Sequence, residues 1–165
     1  MNNIWFIADT HFQHKNILEF EPIHRPFRSI EEHDETIIAN WNRVVRPNDI
    51  IWHLGDFCFG GRGNVSIAGR LNGHRRLVMG NHDCYGVELY AQYFEKVYGA
   101  IHYKEFILTH IPIKKAYHPE IVNIHGHTHS KSINEAGYIC VSVEQTNLTP
   151  IHIDEISAKI KANSE

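Results

Sequence analysis

The chain has 165 residues, 42% of them hydrophobic and 21% charged, which excludes a disordered or fibrous protein. At this length folding buries roughly 70% of the surface that the unfolded chain exposes, so residues 1–165 are expected to form a single domain without a disulfide staple. A formal net charge of -3 excludes a protein whose affinity rests on a broad basic face, although a nucleic-acid end held locally stays compatible with it.

Residues 4–8 form a short apolar run rich in β-formers that stops at Asp9-Thr10-His11, as a buried strand does when it delivers side chains at its carboxyl end. The segment after it carries His14, Asn16, Arg25 and Arg28. It reads either as a polar loop or as a loop facing an anionic substrate, since imidazole and guanidinium suit phosphate. A helix is expected over residues 29–45, with Ser29 as cap, Ile30, Ile37, Ile38, Trp41 and Val45 on one face, and Pro47 closing it. The strand pattern then recurs: residues 49–54 lead into Gly55-Asp56, and residues 76–79 into Gly80-Asn81-His82-Asp83. Residues 105–109 lead into His110, and residues 121–124 into His125-Gly126-His127-Thr128-His129. Helices are expected over 65–71 and 87–97, and the tail at 151–161 reads as a strand followed by a helix. Strands alternating with helices imply an α/β layered fold with its site at the carboxyl ends of the strands.

Three cysteines without C-x-x-C spacing indicate neither a disulfide framework nor a zinc ribbon, and a reducing cytoplasm is the expected location. No apolar run reaches the ~20 residues that a membrane helix needs, and the N-terminus lacks the pattern of a secretory leader. A removable leader is also at odds with a ligand as early as Asp9.

The polar residues at the strand ends are carboxylates, an amide and imidazoles, the donor set of a hard or borderline divalent cation, with no thiolate among them. Two cations about 3.5 to 4 Å apart polarise a phosphoryl oxygen and ionise water, and one carboxylate must bridge them. The Asp of a Gly-Asp turn suits that role because glycine lets the backbone approach closely. The blocks Asp9-x-His11, Gly55-Asp56, Gly80-Asn81-His82-Asp83, His110 and Gly126-His127-x-His129 resemble the calcineurin-like metallophosphoesterase superfamily, in its order and over residues 9 to 129. Each block alone arises by chance; five in order, each after a β-like run, are specific.

The resemblance implies a four-layer αββα sandwich, two mixed β-sheets flanked by helices. It implies that Asp9, His11 and His129 hold one metal, that Asn81, His110 and His127 hold a second, and that Asp56 bridges. His82 then acts at the leaving oxygen with Asp83 as an orienting partner, and a metal-bridging hydroxide attacks directly. The cofactors expected are two ions of the Mn, Fe, Ni or Zn group, with Mn serving in vitro. Two dications, Asp9, Asp56 and a hydroxide leave roughly one positive charge, enough to attract a phosphoester to an acidic protein.

Protein phosphatases of the superfamily extend the second block to G-D-x-x-D-R-G, whereas Phe59 and Gly60 stand at those two places here. The resemblance is closer to small uncapped bacterial or phage-type phosphoesterases, marked by Asp9-Thr10-His11-Phe12 and His14-x-Asn16-Ile17. A phosphodiesterase is expected, acting on a nucleotide or a nucleic-acid end with no obligate protein partner and no membrane. The alternatives are a phosphomonoesterase, for nucleotides or proteins, or a non-catalytic metal-binding scaffold. The scaffold should show substituted ligands, and here every position is filled. A structural zinc would need four ligands rather than seven. His53, His74, His102 and His118 are read as packing or surface residues, and His125 as pointing away from the ligand loop. Trp5, Phe6, Trp41 and Trp52 are read as core, and Lys159, Lys161 and Glu165 as a solvated helix face.

Overall fold

The computed structural model describes residues 3–117 and 120–162, so His118 and Glu165 lie outside the described residues. The first sheet contains β1 (Ile4–Ile7), β2 (Ile50–His53), β3 (His74–Val78), β4 (Lys96–Tyr98) and β9 (Ile151–His152), in the order β4-β3-β2-β1-β9. The first four run parallel and β9 is antiparallel to β1. The second sheet has the order β5-β6-β7-β8, from β5 (Ala100–Tyr103), β6 (Phe106–Thr109), β7 (Val122–His125) and β8 (Tyr138–Cys140). Only β5 is antiparallel to its neighbour there. Both sheets are mixed, as expected.

The apolar runs of β1 and β2, and the Leu77-Val78 end of β3, follow from burial on both faces. Ile7, Ile51 and Leu77 point to one core, beneath the helix α2 (Ile30–Val44), where Ile37, Trp41, Val65 and Phe94 join them. Phe6, Trp52 and Val78 point the other way and meet Phe106, Leu108 and Ile124 of the second sheet. Helix α4 (Ile153–Ala162) packs beside β9, β1 and β8 and inserts Ile156 into that second core. The outer face of the second sheet is held by the segment near Ile113. Its N–H donates to Asn123 and its carbonyl accepts from the Tyr138 hydroxyl.

Local signals account for α2. The Ser29 side chain accepts from the Glu32 N–H at 3.1 Å, the Glu32 carboxylate accepts from the Arg28 N–H, and the helix ends two residues before Arg46-Pro47. Its buried face also carries His33 and Asp34, which apolar periodicity alone does not predict. A short helix, α1 (Ile17–Phe20), precedes it, and residues 62–70 form a 3₁₀ helix where an ordinary helix was expected over 65–71. The helix expected over 87–97 is shorter: α3 covers Val87–Tyr90, and the chain then turns into β4. Pairing with β3 wins there, because Glu95 donates its N–H to Arg75 and Val97 lies opposite Leu77. Among the described residues no helix is long and apolar enough to cross a membrane.

The two sheets converge at the carboxyl ends of β1 and β2. Ala8 donates its N–H to Val141 and accepts from Val143, which stitches the end of β1 to the segment after β8. The polar ends of strands from both sheets meet there.

Candidate metal centre

Beyond β1 and β2 the chain runs on as two adjacent loops. Asp9 donates its N–H to Gly55, His11 to Asp56 and Phe12 to Phe57, at 3.0, 3.1 and 3.0 Å. The backbone here is unusual. Asp9, His11, Asp56, His127 and His129 all have positive φ, between 48° and 69°. Each such residue costs roughly 1–2 kcal/mol for an L side chain, and the surrounding hydrogen bonds must hold it there. Gly55, at φ 91°, admits no side chain, since a Cβ would lie 2.6 Å from both the Gly80 nitrogen and His110 Nδ1. Gly80 is pressed as closely against the Asp56 loop, 2.5 Å from its nitrogen to a would-be Cβ.

This backbone gathers the seven residues singled out above. Asp9, His11 and His129 form one cluster and Asp56, His110 and His127 another, with ligand atoms in each within 4.8 Å of one another. Asp9 Oδ1 lies 3.9 Å from His11 Nε2 and 3.8 Å from His129 Nε2. Asn81 Oδ1 lies 3.0 Å from His110 Nε2 and so joins the second cluster. A single atom, Asp56 Oδ2, faces both: it is 3.5 Å from His11 Nε2 and 3.2 Å from His110 Nε2.

The donor chemistry fits cations. Asp9 Oδ1 and His11 Nε2 are buried without a hydrogen-bond partner, which is costly for polar atoms unless something else satisfies them. The imidazoles are held from behind: His110 Nδ1 meets the Leu54 carbonyl at 2.8 Å and His129 Nδ1 meets Glu144 at 2.9 Å. A proton on each Nδ1 leaves the Nε2 lone pair aimed into the cluster. Burial pushes the Asp9 carboxyl up and His11 down to about 4. Burial would also raise Asp56, but His11 and His110 outweigh it and hold the carboxyl well below its ordinary range. His110 is drawn upward, to about 8, because its contact with Asp56 overcomes burial. A cation among these acceptors would do the same electrostatic work as that proton.

A buried ion pair backs the first cluster, and sequence reasoning missed it. Arg25 is fully buried; its guanidinium donates to Glu144 at 2.6 Å and to the backbone carbonyls of Asp9 and Thr10, and meets His33 Nε2 at 2.9 Å. Arg25 is therefore no substrate-facing residue, because every donor is already engaged beneath the metal loop. Glu144, the partner of both Arg25 and His129, is held down at about 2: burial would raise it, but His129 and Arg25 prevail. Ser142 donates to Asp9 Oδ2 at 2.6 Å, and the His127 N–H reaches the same oxygen at 2.9 Å. A further grouping of possible ligands, Glu21, His129 and Glu144, already has the Arg25 cation against Glu144. The available signal for Glu144 was a sixth apolar run, residues 138–143, ending in a carboxylate.

Asp83 also differs from expectation. Its buried carboxylate accepts from the backbone N–H groups of Asp56, Phe57 and Gly80, so it ties two loops together and makes no bond to His82. Burial raises it to about 6. His82 is exposed at the mouth, its N–H on Asp56 Oδ1 at 2.9 Å. His14 and Asn16 line the cleft with His82, while Arg28 is exposed and does not. Among the other histidines, His53 is buried between the loops, bonded to Thr10 and to the Gly55 N–H, and His74 pairs with Glu95 at the surface. His125 is buried on β7, turned to Tyr138 and away from the clusters.

The profile of the calcineurin-like phosphoesterase family matches residues 3–157. An uncharacterized protein of Methanocaldococcus jannaschii is 35% identical over 94% of this chain and 90% of its own length. The Gene 66 protein of Mycobacterium phage L5 is 37% identical over 50% of this chain and 41% of its own length. A solved protein of unknown function from Aquifex aeolicus superposes with a TM-score of 0.74 and 30% identity, over 97% of this chain and 100% of that one.

Proposed function

The chain belongs to the calcineurin-like phosphoesterase family, a family of metal-dependent phosphoester hydrolases, and on that premise we propose that it is a dinuclear phosphodiesterase. Asp9, His11 and His129 would hold one cation and Asn81, His110 and His127 the other, with Asp56 placed to serve both. The fit rests on the partnerless atoms of Asp9 and His11 and on Asp56 Oδ2, which faces an imidazole of each cluster. Bound cations of the Mn, Fe, Ni or Zn group would polarise the phosphoryl oxygen and acidify the attacking water.

The protein's own groups do the rest. His82 stands at the cleft wall, its ring 5.6 Å from that of His11, and donates a proton to the leaving oxygen. Its main chain is fixed by the bond to Asp56, so the imidazole is carried on the loop that holds the shared carboxylate. Arg25 and Glu144 position His129 and the Asp9 backbone without touching substrate.

One observation carries the preference for diesters: among the described residues no Lys or Arg lines the cleft. A dianionic monoester gains most from a fixed guanidinium, through a charge-assisted bidentate contact, and a monoanionic diester loses less without one. Phe59 and Gly60 stand where the phosphatases carry Asp and Arg, and the nearest buried arginine, Arg25, is spent on Glu144. The test is kcat/KM for bis-nitrophenyl phosphate against nitrophenyl phosphate on the Mn-loaded enzyme. The diester should be preferred, and His82→Ala should keep its metal yet lose roughly 10²-fold in turnover. A monoester preference that collapses in Arg28→Ala overturns the diester reading and identifies the missing cation.

A further inference from the structure

Beside the metal clusters the cleft widens into a space of about 440 Å³. Ile17, Phe20 and Phe59 bound it together with His11, His82 and His129. This is an unusual wall for an anion site, because two phenyl rings stand in water: Phe20 is 66% exposed and Phe59 38%. They belong to one continuous series of rings. His14 lies parallel to Phe59 with centroids 4.1 Å apart and planes at 15°, Phe20 meets the edge of His14 at 6.0 Å, and Phe59 reaches His82 at 5.4 Å.

The wall is anchored. Ile17, at the start of α1, is buried and fixes the helix that carries Phe20. The Phe59 backbone is held from both sides, its N–H on the Phe12 carbonyl at 2.8 Å and its own carbonyl accepting from Asn64 at 2.7 Å. A carboxylate at the rim, Glu21, bonds Ser130 and pairs with His24, and its charge disfavours a second anionic group there. A phosphoester placed over the clusters must therefore lay its organic substituent against exposed, flat, apolar rings.

Resting on the phosphoesterase reading above, we propose that the wall from Phe20 to Phe59 is the subsite for the base of a nucleotide whose phosphoester lies over the metals. A space of about 440 Å³ suits one mononucleotide, and aromatic side chains stack on any base without selecting its sequence. The chemistry recognised is a flat aromatic ring joined to one phosphate, rather than a polyanionic strand.

The experiment compares adenosine 5′-monophosphate with ribose 5-phosphate, which share the sugar and phosphate and differ only in the base. Calorimetry on the Mn-loaded protein should give about tenfold tighter binding of the nucleotide, the scale of one base stacked on aromatic rings. In the Phe20→Leu/Phe59→Leu double variant, which keeps the apolar bulk, the two affinities should come within about twofold. Phe20→Tyr/Phe59→Tyr should restore the difference with unchanged metal content. Equal affinities in the wild type, or a preference that survives the leucine variant, overturn the subsite. If the wild type hydrolyses bis-nitrophenyl phosphate yet shows no base preference, the subsite fails alone. If no ester is hydrolysed while the base preference holds, the phosphoesterase reading fails and the subsite stands.

Discussion

The two halves of the metal centre are built differently. Asp9 and His11 are buried, and Asp9, Ser142, Glu144, Arg25 and His33 form an unbroken polar network behind them. On the other side Asn81 and His127 are exposed, and His110 is held from behind by the Leu54 carbonyl. A ligand set locked from behind loses little freedom when it takes up a cation, whereas exposed ligands must be ordered at that moment. The first cluster should accordingly retain its metal while the second exchanges.

The widest effect comes from the residue common to both halves. Asp56→Ala should drop metal content from two equivalents to below one and abolish turnover, read by elemental analysis and hydrolysis of bis-nitrophenyl phosphate. Two retained equivalents would refute the shared role. The comparison itself is tested by Glu144→Gln against His127→Ala. Glu144→Gln leaves the buried Arg25 without its counter-charge and weakens the hold on His129. It should cost about 3–5 kcal/mol of stability, read from urea unfolding, and weaken the first metal by about 10–100-fold. His127→Ala, on the exposed side, should lose the exchangeable metal with a stability change within about 0.5 kcal/mol. Similar stability losses in the two variants would erase the distinction. An effect that leaves the metals and turnover untouched lies away from both halves, at the buried Asp49. Burial would raise its carboxyl, but the N–H groups of Arg46 and Asn3 and the Trp5 indole hold it below its ordinary value. A depressed folded pKa means the stabilisation is present above the unfolded value, about 4, and is lost as pH falls through the folded one. Asp49→Asn should cost about 1 kcal/mol at neutral pH, with the gap to wild type narrowing at pH 3. A gap independent of pH would assign the effect to packing.

The same contrast explains what could be read in advance. The five strand ends were legible because an apolar stretch in or at the end of β1, β2, β3, β6 and β7 stops at polar residues, so a change of composition marks each loop. The ordered blocks then carried the ligand set. Arg25 was not legible: 119 residues separate it from Glu144, and nothing local distinguishes a buried guanidinium from one facing a phosphate. Asp83 was placed beside the chemistry because it follows His82, but the backbone turns its carboxylate toward three N–H groups instead. The short strands β4 and β5 lack a long apolar run, and pairing with neighbours creates them.

The left-handed backbone at Asp9 and Asp56 also limits how this protein can decay. Two filters act on each position: the side chain must bind a cation, and the main chain must tolerate a conformation that only Gly, Asn and Asp visit readily. A descendant released from catalysis would lose the first requirement and keep the second. Its lineage would drift to Asn or Gly at 9 and 56 and would shun Val or Ile there. The shape of the loop would outlive the activity it was built for.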